Sequence, residues 1–90
     1  MTKKEMFKQE ISDVCKKYYD RLHLLGPEDF DYLNDYRKWF VQINQDRKTE
    51  IDRICYFYKR SGYLSEDEMF EIIGKLEVPG NVVYKPVNKN

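Results

Sequence analysis

Alanine is absent from all 90 residues, although it is the best helix former. Any helix in this chain must therefore be lined with bulky side chains. Helices packed through such residues should sit toward the wide end of the roughly 8–10 Å interaxial range. Net charge is lacking too, with sixteen basic residues against sixteen acidic ones. A general nucleic-acid binder carries a clear basic excess, so the balance argues against that class and equally against an acidic mimic of DNA. No run approaches the ~20 apolar residues of a membrane span. The opening MTKKEMFKQEISDV has no apolar core, unlike a secretory signal. These features lead us to expect a cytoplasmic protein, in which Cys15 and Cys55 stay reduced.

The groups that build active sites are also scarce. One histidine and two distant cysteines do not make a zinc set. There is no Glu-x-x-His pair, and the four glycines, at 26, 62, 74 and 80, form no phosphate-binding loop. Cys15 and His23 share the first helix, but about 12 Å of rise and about 80° of rotation separate them. A nucleophile and its base need hydrogen-bond contact. Cys55 reads as a small core side chain, with a nucleophilic role as the enzymatic alternative. The expectation is a non-enzymatic protein without metal, cofactor or small-molecule substrate.

What the chain has in abundance is rings: eight Tyr, five Phe and one Trp. Apolar residues make up 41% and charged ones 36%, a balance that suits a small soluble domain and is too apolar for a disordered chain. A chain of this length hides only about 60–65% of its unfolded surface, which leaves little room for a large cleft. Many Lys, Asn, Ile and Tyr with no Ala also suit an AT-rich genome, such as that of a low-GC bacterium or its phage.

Helical periodicity runs over residues 3–25. Phe7, Ile11, Val14, Cys15, Tyr18, Leu22 and Leu25 fall in an arc of about 100°. Gly26-Pro27 ends this helix, and a second starts near Pro27 with Glu28, Asp29 and Asp31 at its positive end. Its wheel carries two stripes, Phe30/Leu33/Phe40 and Tyr32/Tyr36/Trp39/Ile43. With Val41 the apolar arc reaches about 200°, so this helix should be covered on two sides. NQDRKTE, 44–50, breaks the pattern. We expect a break there, with Asp46 or Thr49 as an N-cap, over the alternative of one helix from 28 to 61. Ile51, Ile54, Cys55, Phe57 and Tyr58 then share a face, with Tyr56 exposed. A last helix over 66–77 buries Met69, Ile72, Ile73 and Leu76, with Phe70 on its flank. From residue 79 an extended tail follows, in which Val82-Val83-Tyr84 is strand-like but too short to stand alone.

Gly62 to Glu68 resembles the second half of an EF-hand loop. With Gly62 at loop position 6, however, position 1 is Phe57 and position 3 is Lys59, which cannot supply the ligand oxygens. The same residues make a seam between helices. Gly62 serves as a C′ residue, and Ser65 with Glu68 forms a capping box.

The expected fold is thus all-α, a bundle of three or four helices over residues 1–78 with the tail at 79–90. The expected function is protein–protein contact, as an adaptor, regulator or inhibitor and plausibly as a homodimer. Its binding residues would be Tyr32, Tyr36 and Trp39, with Tyr56 and Tyr84 secondary, because Tyr and Trp are enriched at interfaces. The alternative is a small nucleic-acid-binding regulator. Arg53, Tyr56 and Arg60 share one face within about 60°, where two guanidinium groups flank a ring that can stack on a base.

Overall fold

The computed structural model describes residues 1–76. Val82-Val83-Tyr84 and the expected tail lie outside the described residues. Three α-helices make up the fold, and no strand occurs among the described residues.

Helix α1, Lys3–Leu22, opens on a complete capping box. The Thr2 N–H donates to Glu5 Oε1 at 2.8 Å, and the Glu5 N–H donates to Thr2 Oγ1 at 3.1 Å. Two end amides that the helix cannot satisfy internally are thereby paired. Phe7, Ile11, Val14, Cys15, Tyr18 and Leu22 are all buried, as their spacing dictates. The helix stops at Leu22, so Leu25 falls outside it and is partly exposed.

The second helix does not begin at Pro27. Pro27–Asp29 is a single 3-10 turn, in which the Asp29 carboxylate accepts from the Gly26 N–H at 2.8 Å. Phe30 then turns extended (φ −118°, ψ 144°). Its ring reaches 5.7 Å from both Tyr36 and Trp39. Helix α2 therefore starts later, at Leu33, and runs unbroken to Arg60, about 42 Å at 1.5 Å per residue.

The expected break at 44–50 is absent, and the polar side chains explain why. Asn44 Nδ2 donates to the Phe40 carbonyl, and Thr49 Oγ1 donates to the Gln45 carbonyl, each at 3.0 Å. Asp46 accepts from Gln42 Nε2 at 2.9 Å. These groups bond back onto the preceding turn of the same helix and cap nothing. The buried stripe also passes through the run without a gap. Ile43, Arg47, Ile51 and Tyr58 are all buried, and Arg47 is 0% exposed. An arginine occupies the slot where an apolar residue was expected, with its Nη2 donating to Asn44 Oδ1 at 2.9 Å.

Gly62 ends α2 in the left-handed region at φ 73°. Its N–H donates to the Lys59 carbonyl at 3.1 Å, and the Tyr63 N–H donates to the Tyr58 carbonyl at 3.0 Å. This is the two-bond Schellman closure, and the accompanying apolar contact is made by the rings of Tyr58 and Tyr63, 5.9 Å apart. Ser65 then caps α3, Glu66–Gly74, with Glu68 completing a second capping box. Met69 and Leu76 are buried, Ile72 and Ile73 half-buried, and Phe70 is exposed.

α1 and α2 run antiparallel. The Tyr18 hydroxyl on α1 donates to Glu50 on α2, and the Tyr58 hydroxyl on α2 donates to Glu10 on α1. On each helix the tyrosine and the glutamate stand eight residues apart, so two reciprocal polar pins hold one register. Between and around them Phe7 meets Tyr58 edge to face at 5.1 Å. Burying rings of this size stabilises by about 1.5–3 kcal/mol each.

Candidate interaction surface

The register decides which part of α2 is left uncovered by α1. Tyr18 lies opposite Glu50, so Leu22, the last residue of α1, lies opposite about residue 46. Roughly the first three turns of α2 extend beyond α1. Among the described residues, the link of residues 23–32 is what runs alongside them.

Phe30 from the link and Tyr36, Trp39 and Phe40 from α2 form a four-ring cluster there. Tyr36 stands 5.9 Å from Trp39 and 6.1 Å from Phe40. Trp39 and Phe40 pack against the outside of the core, and all four rings are half-buried. The structure thus joins Tyr36 and Trp39, as the sequence suggested, and separates Tyr32 from them. Tyr32 occupies the N-cap position in an extended conformation, with its side chain 71% exposed. Beside it Leu33 is 63% exposed, and in the link Leu24 is 74% exposed.

The cap of α2 differs from the other two. Thr2 and Ser65 each donate and receive the paired bonds of a capping box, whereas Tyr32 has no oxygen in reach and makes no side-chain cap bond. Ser, Thr, Asp or Asn at this position is worth about 0.5–2 kcal/mol over residues that cannot cap. The longest helix forgoes that contribution and displays a phenol ring. The clue to this was readable, since a ring sits at the helix start between Asp31 and Asn34, but it was obscured by placing the start at Pro27.

At the opposite end of α2, Arg53, Tyr56 and Arg60 are all exposed on one face, as expected. Arg60 Nη1 donates to the Tyr56 hydroxyl at 3.2 Å. Between α2 and α3 lies a cavity of about 320 Å³, lined by Cys55, Tyr56, Met69 and Phe70 together with Asp52, Lys59 and Glu66. Burial pushes the Cys55 thiol above its ordinary value, and the Asp52 carboxylate adds to that. An activated nucleophile requires the opposite shift. His23 sits at the far end of α1, with Nδ1 2.8 Å from the Tyr19 carbonyl oxygen and its ring against Tyr19, and it does not meet Cys55. Phe57, expected on the core face, is exposed and stacks edge-on with Tyr63 at 6.0 Å. Its ring also meets Tyr58 edge-on at 5.8 Å, while the buried Phe7 packs on Tyr58 from α1.

In the helical seam, Lys59 pairs with Glu66 and Lys4 with Glu68. Among the described residues no three His, Cys, Asp or Glu side chains gather into a metal-sized group, and no helix is long and apolar enough to cross a membrane. Tyr84 lies outside the described residues. Comparison with known proteins finds no matching family model, no matching curated sequence and no matching solved structure.

Proposed function

We propose that this protein is a small cytoplasmic interaction module, an adaptor, regulator or inhibitor that works by protein–protein contact through the free end of α2. The observation that carries this reading is the cap at Tyr32. Local rules that hold at α1 and α3 are broken at α2, in favour of an exposed ring. Departures of this kind from local stability rules are expected at functional sites. The half-buried Tyr36 and Trp39 behind it supply a firm backing for a partner, and clusters of Tyr and Trp are the usual anchors of interfaces.

The test is a pair of measurements on Tyr32→Ser. A Tyr32 without a binding role predicts a more stable protein with unchanged associations. An anchoring Tyr32 predicts a more stable protein that retains its partner at least tenfold less well in a quantitative pull-down. Sedimentation at several concentrations distinguishes a second copy from a different protein as that partner. The Arg60–Tyr56 bond keeps the nucleic-acid reading as a second one, because it aligns a guanidinium with a ring. Binding to single-stranded or duplex oligonucleotides that falls steeply with salt would support it.

A further inference from the structure

α3 lies on one particular side of α2, and that side of α2 continues past the end of α3. Lys59 and Cys55 face α3, since Lys59 pairs with Glu66 and Cys55 lines the cavity with Met69 and Phe70. Val41 stands eighteen residues before Lys59, and Arg37 eighteen before Cys55. Eighteen residues make about five whole turns. Arg37 and Val41 therefore carry the α3 side of the helix on toward its start. There Tyr36, Arg37, Phe40 and Val41 line a hollow of about 360 Å³. Val41 is 52% exposed. The link takes a different side, because its Phe30 ring packs on Tyr36 and Trp39 and Trp39 points about 160° away from Val41. α1 has already ended, opposite about residue 46.

The chain leaves α3 in the direction of this hollow. The reversal at Gly62 sends α3 back antiparallel to α2, so that Lys59 meets Glu66 while Asp52 and Cys55 lie with Met69 and Phe70. That register sets Leu76 level with about residue 49 of α2. Leu76 is the last described residue, and it is buried in the core cluster. The chain therefore departs from the inner side of α3, and Val41 lies about 12 Å further along the α2 axis. From Leu76 to Val83 the chain spans at most about 23–25 Å, which is ample for that distance. The residues that follow Leu76 read EVPGNVVYKPVNKN, and their first apolar run is Val82-Val83-Tyr84. We propose that this run, which lies outside the described residues, docks in cis on Arg37, Phe40 and Val41. The two valines match the apolar floor of Phe40 and Val41, and the Tyr84 ring matches the Arg37 guanidinium, a group that stacks on aromatic faces. The docking is independent of the interaction function proposed above, and it brings Tyr84 to the same end of the molecule as Tyr36.

Nuclear Overhauser contacts in the isotope-labelled 90-residue chain test it. The expected result is contacts from the Val82 and Val83 methyl groups and the Tyr84 ring to Phe40 and Val41. Val41→Asp, at an exposed position, should abolish these contacts and shift the Val82 and Val83 methyl resonances. Val41→Ile should keep both. An isotope-filtered measurement on a mixture of labelled and unlabelled chains identifies the occupant. Contacts within one chain support the proposal, whereas contacts found only between chains assign the hollow to a second copy and overturn it. Absence of any contact from residues 82–84 to residues 36–44 in the unsubstituted chain also overturns it, as does survival of every contact in Val41→Asp. The Tyr32→Ser pull-down judges the interaction function separately, whichever way these contacts fall.

Discussion

Tyr18 and Glu50 meet across the α1–α2 seam, and the carboxylate that accepts the phenol proton also holds Lys17 Nζ at 2.8 Å. Lys17 first, and Tyr18 second, hold the Glu50 carboxyl below its ordinary value. A carboxyl depressed in the folded state contributes stability that is present above its unfolded value, near 4.5, and lost as pH falls through the folded value. Urea midpoints should therefore decline below about pH 4.5. Glu50→Gln should flatten that decline and cost roughly 1.5–3 kcal/mol at neutral pH, the range for hydrogen bonds to charged groups.

The second pin makes a prediction at the other end of the pH scale. Burial first, and the Glu10 carboxylate second, push the Tyr58 hydroxyl up to about 12 from an ordinary value of 10.0. The folded state then holds this proton after the unfolded state has released it. Stability is fully present below pH 10 and should fall as pH rises toward 12. Tyr58→Phe should cost about 0.5–1.5 kcal/mol at pH 7 and remove part of the alkaline decline. Denaturant titrations at pH 9 and pH 11 measure both effects.

Gly62 has a positive φ and open space where a Cβ would stand. A side chain there meets no neighbour, so the cost of replacing it is purely conformational. Gly62→Ala should destabilise by about 1–2 kcal/mol, and Gly62→Asn by less, because Asn tolerates the left-handed region. Equal losses for the two would point to a packing role instead.

The cap of α3 is open to a similar measurement. Ser65→Ala removes the bond from the Glu68 N–H, at 3.2 Å, and should cost about 1 kcal/mol. For a domain of this size that corresponds to a drop of roughly 4–8 °C in melting temperature. The loss should appear first as faster amide exchange in residues 66–74.

Tyr32→Ser should move in the opposite direction, raising stability by about 0.5–1 kcal/mol through the cap it restores. A thermal melt decides this. No gain would mean that the ring itself stabilises the start of α2.

Much of this fold was legible in the sequence because the signals were local and reinforced one another. The buried face of α1 follows from spacing alone. Gly62, Ser65 and Glu68 mark the α2–α3 seam through turn and cap chemistry within seven residues. The readings that failed needed tertiary information. Nothing in NQDRKTE reveals that Arg47 is buried, because a periodicity argument treats a charged residue as a gap in the stripe. Pro27 suits a helix start, but the pull of the Phe30 ring toward Trp39 keeps the link extended for three more residues. At the candidate site, the excess of rings was visible as a wide apolar arc. The division of labour within it was not, since it depends on where α1 stops against α2.

That stopping point divides the molecule into a part that carries the fold and a part that does not. The reciprocal tyrosine–glutamate pins, the Phe7–Tyr58 contact and the Gly62 reversal all lie within residues 1–22 and 46–76. Tyr32, Leu33 and the carboxylates around them touch none of these. Substitutions at that extremity leave those contacts in place, so the binding specificity proposed for it is separable from folding within about a dozen positions.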